Sequence, residues 1–368
     1  MKHLVMLGAG HAHLHLLSTL AAQPLAGVQI TLVTTHPRQL YSGLVPGFVA
    51  GHYTLEDCVI PLEPLLKGTA INWLVRSVKA LDASARSLTL DDDSSLGFDF
   101  LSINTGSVQS RQQIELMIPG ARENGLFLRP MEGFGALWPK VVELADTRPL
   151  RVAVIGAGAA GAELAMAIGY RLPGSSVTLL AGTGVAGNYT TAVRQRIARA
   201  LQQRHITVLP DKAVGIAAGE VKLGSGARLV CDVPVIAIGA QAPAWLHGSG
   251  LALDESGFIA VDARQRSISD PQVFAAGDIS TCVDRALAPS SGYAMGAGPA
   301  LADNLRAALS GQAPKPYVHV PREKTLSLLS CGGRYAIATW GDYSAQGRWL
   351  WWLKDWIDRS FIKRYRRR

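Results

Sequence analysis

Short unbroken apolar runs alternate along the chain with glycine-rich corners and with helical stretches of mixed polarity. His3-Leu-Val-Met-Leu7 is one such run. Gly8-Ala-Gly10-His-Ala-His13 follows it, then a helical stretch from Leu14 to Ala22 and a second run, Val28-Gln-Ile-Thr-Leu-Val33. The same order returns later as Arg151-Val-Ala-Val-Ile155, Gly156-Ala-Gly158-Ala-Ala-Gly161, a helix over 162–171 and Ser176-Val-Thr-Leu-Leu180. Apolar runs this short predict strands buried on both faces, as in parallel sheets covered by helices. Two more runs, Phe100-Leu-Ser-Ile-Asn-Thr-Gly106 and Val235-Ile-Ala-Ile-Gly239, end in a glycine where the chain would cross between two such units. The pattern predicts a doubly wound α/β chain with the second unit inserted in the first.

Strand, glycine turn, helix and strand within about thirty residues is the setting of a dinucleotide site. The first glycine permits the tight turn, the second lets backbone approach a pyrophosphate, and the third lets helix pack on strand. The helix N-terminus offers N–H groups to the phosphates. Each copy departs from that scheme. His13 stands at the third glycine of the first copy, and neither second strand is followed by an acidic residue. Thr34-Thr35 and Ala181-Gly182 stand there instead, with no arginine beside the latter, so NADH is expected over NADPH. His11 and His13 are candidate hydrogen-bond partners for phosphate or ribose, and Thr34 for the adenosine side. A later strand, Pro271-Gln-Val-Phe-Ala-Ala-Gly277-Asp278, ends in a carboxylate that can accept hydrogen bonds from sugar-alcohol hydroxyls, which points to a flavin. Glu163, on the first turn of the second helix, either complements the helix dipole or acts on a ligand.

Composition changes this picture little. Of 368 residues, 48% are apolar and 17% charged, as a sheet covered on both faces demands. Cys58, Cys231, Cys282 and Cys331 form no CxxC pair and no metal-type spacing, which argues for a reducing compartment and against a metal site. Met1 to Ala22 has the outline of a signal peptide, but Gly8, Gly10 and the histidines fit that poorly. The net charge of +8 is concentrated at the end, where eight Lys and Arg face two Asp over residues 348–368. A nearly neutral body gives no reason to expect nucleic acid. The tail holds four of the eight tryptophans. At helical spacing Trp349, Leu350, Leu353, Trp356, Ile357, Phe361 and Ile362 share one broad face, so an amphipathic helix lying on a membrane surface is predicted. Removing residues 346–368 is expected to leave the nucleotide sites intact.

Together these elements resemble the two-dinucleotide-binding flavoproteins of the pyridine-nucleotide oxidoreductase superfamily over residues 1 to about 315. More narrowly, the chain is similar to type II NADH dehydrogenases and to the NADH-dehydrogenase-like domain fused to selenide, water dikinase. The carriers are Gly8 to His13, Leu40-Tyr-Ser-Gly-Leu-Val-Pro-Gly47, Ala50-Gly-His-Tyr53, Leu101-Ser-Ile-Asn-Thr-Gly-Ser107 and Lys354-Asp-Trp-Ile-Asp-Arg359. The chain ends where a kinase domain would begin, so a stand-alone version is expected. The resemblance implies two Rossmann-like domains. FAD would be bound by 1–110 with 240–315, NAD(P)H by 111–239, and a small α+β region, 316–368, would follow. It implies that Gly8, Gly10, Thr105, Gly106, Gly277 and Asp278 hold FAD, with Tyr41, Ser42 and Gly43 at the isoalloxazine edge. Gly156, Gly158, Gly161 and Gly239 would then hold the nicotinamide nucleotide, and Glu163 would sit where nicotinamide meets flavin. The helix predicted over 289–305 would bring Ala294 to the flavin, but it has no glutamine where type II dehydrogenases line a quinone site. The expected activity is electron transfer from NADH through FAD to a quinone, at the inner face of the cell membrane, in a cytoplasmic protein that can form a homodimer. The rivals are a reductase of a small carrier such as a ferredoxin and a flavin-bearing sensor with weak redox activity.

Overall fold

A computed structural model describes residues 1–284, 291–312, with side chains from 296 onward in the latter stretch, and 326–366. Two five-stranded sheets organise it. In the first, the order is Val273–Ala275, Phe100–Ile103, Lys2–Leu7, Val28–Thr34 and Ile71–Val75, all parallel. In the second, the order is Leu126–Phe127, Val233–Ile236, Arg151–Ile155, Ser176–Leu180 and Thr207–Leu209, again all parallel. The strand that carries each glycine turn is central, so its residues are buried from both sides: Leu4 to Leu7 are at most 1% exposed. Each unit also carries a three-stranded antiparallel excursion between its third outer strand and its return, at 78–97 and 213–230.

The chain passes between the two units twice, and the two passages lie side by side. Val108 and Gln241 exchange backbone hydrogen bonds of 2.9 Å in both directions. Gln109 Nε2 donates to the carbonyls of Ile236 (3.0 Å) and Ile238 (2.9 Å), and Ser110 N donates to Gln241 Oε1 at 2.8 Å. Short direct bonds of this kind fix the angle at which the units meet.

The C-terminal region straddles both units. A hairpin sheet, Ser327–Ser330, Ala336–Trp340 and Tyr343–Gly347, leads into the helix Arg348–Arg366. Leu329, Cys331 and Ile337 join the core of the second unit, while Leu350, Trp351, Phe361, Ile362 and Tyr365 join that of the first. The single apolar face expected of this helix is therefore divided. Its Leu350, Phe361 and Ile362 are buried in the protein, and Trp351 with them. Trp349, Trp352 and Trp356 form a separate exposed stripe at 61%, 51% and 67% exposure. The tail is thus not separable, because cutting at 346 would strip a wall from the first core. No described helix is long and apolar enough to cross a membrane.

Candidate functional site

The first glycine turn is closed by a residue from a neighbouring strand. Asn104 follows Phe100–Ile103, donates its backbone N–H to Leu7 O (2.8 Å) and accepts from Gly10 N (3.1 Å). Its side chain turns over the helix start. There Oδ1 accepts from Ala12 N and His13 N, at 3.1 Å each, and Nδ2 donates to Ala276 O. A Cβ at residue 10 would overlap both the side-chain Oδ1 and the backbone O of Asn104, which is why glycine stands there. The sequence leaves that gap to a pyrophosphate; an asparagine fills it.

The second turn has the same construction with one difference. Ala237 follows Val233–Ile236 at the place equivalent to Asn104. A Cβ at Gly158 would meet nothing within 4 Å, whereas one at Gly161 would overlap Gly156 O. The first helix start is capped by a side chain from a neighbouring strand, and the second has no side-chain cap.

A cavity of about 870 Å³ links the two units. Thr34, His36, Arg38 and Arg76 line it beyond the second strand of the first sheet, and Gly8, Gly10, His11, Asn104, Thr105, Gly106, Gly277 and Asp278 line it beside the glycine turn. Ser42, Gly43, Pro46, Glu163, Leu328 and Lys354 line it where the units and the C-terminal helix meet. Eleven of the residues singled out from sequence thus share one wall. Gly156, Gly158, Gly161 and Gly239 lie outside it, in the second unit. Ala294 falls in the stretch whose side chains lie outside the described residues.

Two expectations are corrected. His13 is fully buried, and both its ring nitrogens are taken: Nδ1 donates to Gly8 O (2.6 Å), so Nε2 must accept from Ser102 Oγ (2.8 Å). Burial lowers its pKa to about 4, so it is a neutral strut between strands rather than a phosphate ligand. Tyr41 does not reach the cavity. It is 1% exposed, stacks on Phe361 and donates to Asp358 Oδ1 at 2.9 Å. Thr34 lines the cavity; its hydroxyl donates to His36 O (3.0 Å) and accepts from Trp73 Nε1 (2.9 Å), which leaves one acceptor lone pair. His11 does reach the cavity; burial holds its pKa at about 4 despite the pull of Asp278 and Asp358.

Residues far apart in sequence tie the wall of the cavity together. Arg129, from the inserted unit, reaches the first unit: Nη1 donates to Ser107 O (2.8 Å) and Oγ (2.6 Å), and Nη2 lies 3.6 Å from Asp278 Oδ2. Lys354, from the C-terminal helix, donates to Gly43 O (2.8 Å) and Asp358 Oδ2 (2.6 Å). Tyr53 Oη donates to Asp355 Oδ1 at 2.6 Å. The segments 40–53 and 354–359, far apart in sequence, are therefore bolted together through Lys354, Asp355 and Asp358. Glu163 Oε1 accepts from Ser330 N at 2.6 Å. Burial raises its pKa to about 7; Lys354 and the Ser330 N–H pull the other way.

The loop after Ser176–Leu180 is also corrected. Lys212 lies along Gly182 and Arg194 beside Gly184, so the ground for expecting NADH, that no cation adjoins this loop, does not hold. Cys58, Cys231 and Cys331 are buried, and burial pushes the Cys331 thiol up to about 12, away from thiolate chemistry.

A model of the pyridine nucleotide-disulphide oxidoreductase family matches residues 2–303. An NADH dehydrogenase-like protein of Mycobacterium tuberculosis is 28% identical over 245 residues, which cover 61% of this chain and 59% of that relative. The sulfide:quinone oxidoreductase of Aquifex aeolicus superposes with a TM-score of 0.82 at 17% identity, covering 100% of this chain and 92% of that one. NDH2 of Plasmodium falciparum, solved in complex with NADH, superposes with a TM-score of 0.79 at 13% identity, over 99% and 97%.

Proposed function

The chain belongs to the pyridine nucleotide-disulphide oxidoreductase family, and on that footing we propose that it is an FAD-dependent enzyme passing electrons from a nicotinamide dinucleotide to a quinone. One observation carries the reading. A single cavity is lined by the glycine turn and Gly277-Asp278 of one dinucleotide fold and by Glu163 from the glycine-turn helix of the other.

The residues fit FAD. The turn from Gly8 to His11 and the amides of Ala9 and His11 suit a pyrophosphate, and Asp278, held by Arg129, suits ribityl hydroxyls. When bound, FAD supplies a two-electron acceptor that NAD(P)H can reduce. The protein's part is to orient and to tune. Lys354 places a positive charge at the inner end of the cavity, fixed by Gly43 O and Asp358. Glu163 keeps Oε1 on the Ser330 N–H, so its proton is carried on Oε2, and with a pKa of about 7 it is half-protonated near neutrality. The purified protein is expected to be yellow, to release FAD on denaturation and to bleach when NADH or NADPH is added without oxygen. Turnover with a short-chain quinone but not with a ferredoxin supports the acceptor; the reverse result sinks it.

The quinone reading draws support from the outer face of the C-terminal helix. Trp349, Trp352 and Trp356, with Trp340 and Tyr343 of the adjoining hairpin, are more than half exposed. Tryptophan beside a basic tail is the composition of a headgroup-level contact, worth about 1 kcal/mol per basic residue near an anionic surface. Because the helix's inner face is core, the test replaces the stripe alone. A Trp349→Ser, Trp352→Ser, Trp356→Ser variant should keep its FAD yet leave anionic vesicles in the supernatant, where the parent protein pellets with them. Co-sedimentation of both forms alike would refute the contact.

A further inference from the structure

The second glycine turn, read above as the nicotinamide-nucleotide site, determines more than the presence of a ligand. In such folds the loop after the second strand reads the adenosine ribose: a carboxylate there binds the 2′-hydroxyl, and a cation accommodates a 2′-phosphate. After Ser176–Leu180 this chain has Ala181-Gly-Thr-Gly-Val-Ala-Gly-Asn-Tyr-Thr190, with no acidic side chain. Two cations from elsewhere flank it. Gly182 is in the left-handed region (φ +52°), and its missing Cβ would lie 3.5 Å from Lys212 Cγ and 3.9 Å from Cε, so the lysine stem runs along the glycine. A methyl at 182 would sit in ordinary contact with that stem, so it is the positive φ that favours glycine there. Arg194, on the helix Thr191–Gln202, brings Nη2 to 3.7 Å from the Cβ position of Gly184.

Both cations are exposed, and among the described residues neither has a carboxylate within ion-pair distance. The nearest acid in sequence, Asp211, is engaged in its own turn, where Oδ2 accepts from Ser225 Oγ (2.5 Å) and Oδ1 from the Lys212 amide (2.7 Å). A surface cation normally needs no partner, since water serves it. Two unpaired cations flanking the one loop that reads the ribose, combined with the missing carboxylate, are a different matter. A 2′-hydroxyl would find no carboxylate there, whereas a phosphate dianion would find two charge-assisted donors.

We propose that Lys212 and Arg194 form a 2′-phosphate subsite and that the chain takes NADPH in preference to NADH. This rests on the second turn being a nucleotide site, and ligand binding tests the two claims separately without electron transfer. The FAD-loaded protein is titrated calorimetrically with 2′,5′-ADP and with 5′-AMP, which differ only in the 2′-phosphate. The 2′,5′-ADP should bind about tenfold or more tightly than 5′-AMP, and more so at low salt. Lys212→Ala and Arg194→Ala should each weaken 2′,5′-ADP by about three- to fivefold, and the pair together should bring the two ligands level. The same variants should lower kcat/KM for NADPH and leave that for NADH in place. Equal affinities in the parent protein, or variants that weaken both ligands alike, would overturn the subsite. Binding of neither ligand by the FAD-loaded protein would overturn the nucleotide reading of the second turn and the subsite with it.

Discussion

Asn104→Ala is expected to yield a protein that is less stable and that loses its FAD on gel filtration. The substitution strands the Ala12 and His13 N–H groups and the Ala276 carbonyl, all inside the fold. Each unsatisfied buried group costs about 1–3 kcal/mol, against a total of about 5–15 kcal/mol for a folded domain. The gap it leaves at Gly10 also loosens the turn that faces the cavity. Thermal unfolding followed by the far-UV signal, with FAD counted per chain, measures both effects. A partner substitution isolates the contact. Gly10→Ala meets both Asn104 Oδ1 and the Asn104 backbone O; in the Asn104→Ala background only the side-chain overlap is relieved, so the pair should be somewhat less harmful than the sum of its parts while Gly10→Ala stays damaging in either background. The repeat offers the mirror experiment: Ala237→Asn in the second turn should cap that helix with protein and weaken nicotinamide-nucleotide binding while FAD stays. An Asn104→Ala protein with its FAD content and unfolding midpoint unchanged would show that the capping contact contributes nothing.

The same contrast explains what the sequence could and could not reveal. The glycine turns are local patterns, each within thirty residues of one strand–helix–strand unit, and both sheets formed where those patterns pointed. The place of Gly277-Asp278 at the cavity was legible too, since a strand ending in a carboxylate needs no distant partner to be read. Asn104 was not. It sits in an apolar run like any strand end, and its role exists only because Phe100–Ile103 pairs beside Lys2–Leu7. His13 misled because a histidine at a phosphate turn invites a phosphate, while the Ser102 that occupies it lies 89 positions away. The C-terminal helix has tryptophans on more than one side, so periodicity alone could not tell which would be buried; packing on two cores put Trp351 in and Trp349, Trp352 and Trp356 out. Lys354 reads as part of a polar outer face and is instead directed to the cavity by Asp358. Lys212 was missed for a simpler reason: it lies thirty residues beyond the glycine whose surroundings it changes.

Glu163→Gln should slow reduction of the bound flavin by about a hundredfold near neutral pH and abolish its pH dependence, if the Oε2 proton acts on the ligand. The substitution keeps the shape and the acceptor for Ser330 N–H, so positioning by that bond survives. Two further readouts separate a role at the ligand from a structural one. The first is stability. Burial raises this carboxyl from its ordinary 4.5 to about 7, so between those values the folded protein holds a proton that the unfolded chain has released. Stability therefore falls as pH rises through that window, and the advantage held below 4.5 is gone above 7. Glutamine has no such proton, so the variant should lose this component of the slope, gaining on the parent protein as pH rises from 5 to 8. The second is the kinetics of flavin reduction by the nucleotide over the same range. The parent rate should change with an apparent pKa of about 7, lowered or raised by ligand charge, and the variant should be flat. If the stability slope vanishes while the parent and variant rates remain parallel across pH, Glu163 serves only to hold Ser327–Ser330 against its helix. If both flatten together, the carboxyl belongs to the chemistry.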